Sequence, residues 1–133
     1  MRQTQFKRVM ILSGELAKYM YTDNQARTNN LQCCLQELGI TPYYCVGVYK
    51  NTVEKSFMVL PKSREEFDTI LDLAFKSFDQ ESVLYRGSNG QACLYTSTGA
   101  KISLGTLDEV PRVTARQCEN YTVFNDKYYI TKG

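Results

Sequence analysis

Apolar and polar positions along the chain follow two rhythms, and their order sketches a fold. Phe6–Ser13 (FKRVMILS) is rich in β-branched and apolar residues, which predicts a first strand. Leu31, Cys34, Leu35 and Leu38 then recur at helical spacing, predicting a helix over Gln25–Leu38 with Asp23-Asn24 as its cap and Gly39 as its stop. Two alternating runs, Tyr43–Tyr49 and Glu54–Pro61, flank a four-residue connection and predict a β-hairpin. Ser63 and Glu66 form a capping box, and Phe67, Ile70, Leu71, Ala74 and Phe78 make an apolar stripe for a helix over Arg64–Phe78. Ser82–Arg86 and Gln91–Ser97 around the turn Gly87–Gly90 read as another hairpin. Two strand-like runs around Asn125-Asp126 close the chain.

This β-α-β-β-α-β order predicts an α+β fold of the ferredoxin-like, split βαβ kind. An antiparallel sheet would carry two helices on one face, with C-terminal β hairpins added. Neither a repeat nor a low-complexity linker interrupts the chain, so one domain is expected over residues 1–133. Many of the tyrosines, from Tyr43 to Tyr129, fall on strand-like segments. A sheet face this aromatic predicts a partner, most simply another copy of the chain.

Composition narrows the chemistry. The 133 residues carry a net charge of +2, with no basic patch of the kind that binds nucleic acid. The apolar run Val9–Leu12 is too short for a signal peptide or a membrane span, which predicts a cytoplasmic protein with no membrane partner. Five cysteines without a C-x-x-C spacing predict neither a disulfide framework nor a metal knuckle. Histidine is absent, which removes imidazole bases and Ser-His or Cys-His nucleophile pairs. Chemistry here must rest on carboxylates, phenols, amines, guanidinium groups or positioning.

Two constellations stand out. Tyr49 and Glu54 bracket the hairpin connection, and direct pairing across it would hold a phenol and a carboxylate about 5 Å apart at Cβ, suited to a cationic ligand. Pattern alone favours the plainer reading, an exposed glutamate near a turn with a tyrosine covering the hairpin. Asn24 and Arg27 lie where a helix begins, a place that binds anions, although a capping Asn and a solvated Arg explain them as well.

Several blocks resemble the S-adenosylmethionine lyases of bacteriophages, long called hydrolases. They are Asn24-x-x-Arg27, Gly47-Val48-Tyr49-Lys50, Glu54-Lys55-Ser56, Asp79-Gln80-Glu81-Ser82-Val83-Leu84, Leu107-Asp108-Glu109-Val110-Pro111 and Phe124-Asn125-Asp126, in register from about Met10 to Ile130. The chain departs from the family's pattern twice. Its connection between Tyr49 and Glu54 is shorter, and Thr28, Asn29 and Asn30 stand where relatives carry histidines, so a histidine-dependent mechanism is excluded.

The resemblance implies a carbon–sulfur lyase that converts S-adenosylmethionine to methylthioadenosine and homoserine lactone without a cofactor or metal. It implies a homotrimer with sites at subunit interfaces, acting in the host cytoplasm to starve restriction-modification systems of methyl donor. By match of motif, Glu54 and Tyr49 are the expected catalytic residues. Asn24, Arg27, Ser13 and Gln80 are the expected substrate-binding residues, Asn24 and Arg27 alternatively making a subunit contact and Ser13 and Gln80 belonging to the adenosine pocket. The competing expectations are a binding module that holds such a ligand uncleaved and an interaction protein that inhibits a host enzyme.

Overall fold

The computed structural model describes residues 8–50 and 52–132. Phe6 and Lys7 of the expected first strand, and Asn51 of the expected turn, lie outside the described residues. The elements run β1 (Val9–Leu12), α1 (Tyr21–Glu37), β2 (Tyr43–Tyr49), β3 (Thr52–Val59), α2 (Arg64–Asp72) and β4 (Ser82–Arg86). Then come β5 (Gln91–Thr96), β6 (Lys101–Val110), α3 (Arg112–Ala115), β7 (Asn120–Phe124) and β8 (Lys127–Lys132).

The eight strands close into an antiparallel barrel in the order β1-β3-β2-β7-β8-β6-β5-β4. This overturns the expected ferredoxin-like sheet with two helices on one face. The C-terminal strands are not appended hairpins. They continue the sheet from β4 round to β2, where Val46 pairs with Val123 and Gly47 with Thr122. Closure gives every described strand two neighbours and leaves no free edge among them, while Tyr43, Tyr44 and Tyr49 of β2 stay exposed.

Strand alternation sends side chains to two different interiors. Met10 and Leu12 of β1, with Phe57 and Val59 of β3, point outward into a core with Leu31 and Leu35 of α1 and Phe67 and Ile70 of α2. Their neighbours Val9, Ile11 and Met58 point into the barrel lumen. Tyr85 and Tyr95 belong to the outer layer, each meeting Phe67 edge to face at 5.2 Å.

Local signals explain the helix ends. Ser63 caps α2 by accepting from the Glu66 N–H at 3.1 Å, as the capping box predicts. Past Asp72 the helix widens into a π-helical turn, Leu73–Ser77. By contrast, α1 starts four residues before the expected Gln25, with Met20 as its cap, because the Asn24 amide serves the preceding loop instead.

Candidate acidic site at one end of the barrel

The register of the first hairpin decides which groups meet. Lys50 takes a positive φ of 48° in a turn two residues tighter than the sequence suggests, so Tyr49 pairs with Thr52 and Glu54 with Gly47. Tyr49 and Glu54 therefore share a face as diagonal neighbours, at roughly 7–8 Å, and do not stand directly opposite. Gly47 leaves open space beside Glu54 instead. Glu54, Ser56 and Met58 alternate on the lumen face of β3, so Glu54 sits at one mouth of the barrel.

The loop joining β1 to α1 is tied to β3 beside this mouth, and the four expected substrate-binding residues all hold it in place. Buried Ser13 donates from its hydroxyl to the Lys55 carbonyl at 2.8 Å and accepts from the Glu15 N–H at 3.0 Å. One hydroxyl thus ties the backbone of Glu15 to the strand that carries Glu54. Asn24 accepts from Leu16 N–H at 2.9 Å and donates to the Leu16 carbonyl at 3.0 Å, matching both backbone groups with one amide.

Arg27 donates from Nε to the Gly14 carbonyl at 2.6 Å and from a terminal nitrogen to the Phe78 carbonyl. Its guanidinium also lies 5.3 Å from the centre of the Tyr19 ring and 5.6 Å from that of Phe78. Gln80, 7% exposed, donates to the Glu15 carbonyl at 3.0 Å. The structure brings Ser13, Asn24, Arg27 and Gln80 together as a clamp on one loop, each bonded to backbone groups.

That clamp fixes Glu15, a residue the sequence reading missed. Its backbone N–H is held by Ser13, its carbonyl by Gln80, and the preceding carbonyl by Arg27. Its carboxylate is close enough to act on Glu54. Crowding by protein atoms, and secondarily the negative charge of Glu15, push the Glu54 carboxyl up to about 7. The residue as a whole is exposed, so water screens part of this effect, and the upward direction rests on both causes.

Exposed aromatic and apolar side chains stand on the segments that adjoin the acidic pair. Met20, Tyr21 and Tyr49 are 77%, 72% and 58% exposed. Both rings already face cations: Lys50 Nζ lies 5.4 Å from the centre of Tyr49, and Lys55 Nζ 5.0 Å from that of Tyr21. Lys55 also donates to Gln25 Oε1 at 2.6 Å, a second contact that the sequence did not signal. Two acids with the rings of Tyr21 and Tyr49 on neighbouring segments favour positive charge, and Lys50 and Lys55 already occupy those two rings.

Among the described residues, no group of three or more His, Cys, Asp or Glu side chains could hold a metal ion. Nor is any helix among them long and apolar enough to cross a membrane. A search of curated proteins finds no match to the chain. The family model described as the S-adenosylmethionine lyase family matches residues 10–132, nearly the whole sequence. With that match beside a site suited to a cation, the chain belongs to the S-adenosylmethionine lyase family, a lyase acting on S-adenosylmethionine.

Proposed function

We propose that the protein cleaves S-adenosylmethionine to methylthioadenosine and homoserine lactone by attack of the substrate's own carboxylate. The observation that carries this reading is the acidic pair, Glu54 and Glu15, with exposed aromatic side chains on the adjoining segments. The substrate has an ammonium and a sulfonium, two positive centres for two carboxylates.

A carboxylate oxygen of the substrate bonds to its γ-carbon while the carbon–sulfur bond breaks. The electron pair of that bond goes to sulfur, which becomes a neutral thioether. No proton moves in this step, so a chain without histidine loses nothing. Bending the substrate into a near-attack shape supplies much of the acceleration, because intramolecular cyclisations reach effective molarities of about 10⁵ M or more.

In this reading Glu54 attracts and orients the cationic end of the substrate, and Tyr49 offers its ring to the sulfonium. Asn24, Arg27, Ser13 and Gln80 act from behind by holding the loop of Glu15, which revises their expected direct contact with substrate. The exposed side chains of Met20, Tyr21 and Tyr49 suit coverage by a neighbouring copy, in a homotrimer with sites between subunits. The biological setting that fits is the host cytoplasm, where a bacteriophage gains by depleting the methyl donor of restriction-modification enzymes.

The test is to incubate the protein with S-adenosylmethionine in ¹⁸O-labelled water and analyse the products by chromatography and mass spectrometry. Methylthioadenosine with unlabelled lactone is expected. Homoserine labelled at its hydroxyl from the first turnover would assign the attack to water, and intact substrate at stoichiometric protein would sink the lyase reading.

A further inference from the structure

The acidic mouth occupies only one end of the barrel. Further along the axis lies a cavity of about 380 Å³ whose lining comes from seven of the eight strands. Protein interiors rarely leave room for more than a water molecule, and an eight-stranded barrel is ordinarily filled by its own side chains or by one small ligand. A void this large falls within the range of small-molecule sites.

Its wall has two chemistries. Val9, Ile11, Met58, Leu60 and Phe124 form a continuous apolar surface, whereas Arg86, Thr122 and Tyr129 bring a guanidinium, a hydroxyl and a phenol to the same space. Partial burial in this wall holds the Arg86 pKa below its ordinary value, while Tyr129 and Asp108 act in the opposite sense. The lumen thus combines a greasy body with one donor-rich edge.

The cavity is separate from the acidic mouth. Glu54, Ser56 and Met58 are successive lumen-facing positions on β3, which puts Glu54 about 13 Å along the strand from Met58. Between them lie Ser56 and its cross-strand partner Cys45, 3% and 2% exposed, and Cys45 belongs to the cavity wall whereas Glu54 does not.

We propose that the barrel lumen is a second binding site, for a small aliphatic molecule with an anionic, hydrogen-bond-accepting head. The tail lies along Ile11, Met58 and Leu60, and the head meets Arg86, Thr122 and Tyr129. A medium-chain carboxylate is the simplest molecule of this kind. This inference does not rest on the lyase reading, since it involves none of the residues at the acidic mouth.

Octanoate is a suitable probe, with octylammonium as a control of equal tail and opposite charge. Titration of methyl-labelled protein is expected to give saturable shifts at Ile11, Leu60 and Leu107, with one octanoate bound per chain. Octylammonium should bind at least about tenfold more weakly, the loss of one charge-assisted contact. Arg86→Met should weaken octanoate about as much while leaving octanol binding unchanged. Leu107→Phe, which narrows the lumen, should abolish octanoate shifts and leave S-adenosylmethionine turnover intact. The methyl titration of the unaltered protein stands even if a variant fails to fold. Absent or unsaturable shifts, equal binding of the two probes, or competition between octanoate and S-adenosylmethionine would each overturn the proposal.

Discussion

Glu54 faces Gly47 across the β2–β3 ladder, so the carboxylate has no side chain directly opposite it. This single pairing opens the mouth of the barrel beside the acid. A Cβ added at Gly47 would lie 3.8 Å from the Glu54 carbonyl and 4.0 Å from Ser56 Oγ, both ordinary contacts. Gly47→Ala should therefore fold normally. Its effect should fall on the KM for S-adenosylmethionine, measured beside an unchanged melting temperature.

Glu54→Gln keeps the shape of the side chain and removes its charge. If that charge holds the cationic substrate, turnover should fall roughly 100-fold, the scale of losing one preorganised electrostatic contact. Circular dichroism and oligomeric state should stay the same. Full activity in the Gln variant would remove Glu54 from the site.

The same carboxyl predicts a pH dependence whose sign follows from its position. It is raised from 4.5 to about 7, so in the free protein it ionises only as the pH climbs through neutrality. KM should fall as pH rises from about 6 to about 8, and Glu54→Gln should flatten that slope. Stability moves the other way. Between pH 4.5 and about 7 the unfolded chain gives up this proton while the folded chain keeps it, so folding weakens across that window and levels off above it. Urea melts of both proteins across the window measure the difference.

Arg27 joins the β1–α1 loop to the segment after α2 through the carbonyls of Gly14 and Phe78. Arg27→Met should cost about 2 kcal/mol from lost charge-assisted hydrogen bonds, a fall of roughly 5–10 °C in Tm for a domain of this size. Activity should decline as well, because Glu15 would lose its fixed backbone. Thermal scans paired with product assays separate the two effects.

Gly14 offers a sharper probe of that loop. A Cβ there would sit 2.8 Å from the Arg27 carbonyl, a backbone atom that cannot swing aside. Gly14→Ala should thus destabilise far more than Gly47→Ala, and comparing their melting temperatures checks the geometry directly.

Local features were legible in the sequence where the chemistry was local. The Ser63–Glu66 cap and the Asn125-Asp126 turn, whose residues both take positive φ, were marked by residue type. Barrel closure was not, because it depends on Val46 meeting Val123 across most of the chain, and no nearby residue signals that encounter. Strand β6 carried a weak pattern, with Gly105 in its middle, and is a strand because β5 and β8 flank it. At the site, the expected binding residues Ser13, Asn24, Arg27 and Gln80 do converge, but on backbone groups. Their target, Glu15, lay unmarked in a loop, since an acid after a glycine has no distinguishing pattern.

Ring closure has a consequence for how the protein is made. The seam between β2 and β7 can form only after about residue 120 has been synthesised. Until then the growing chain carries two raw edges, on β2 and β6, each able to recruit a foreign strand. A chain truncated before Asn120 should consequently clump rather than persist as a smaller working enzyme.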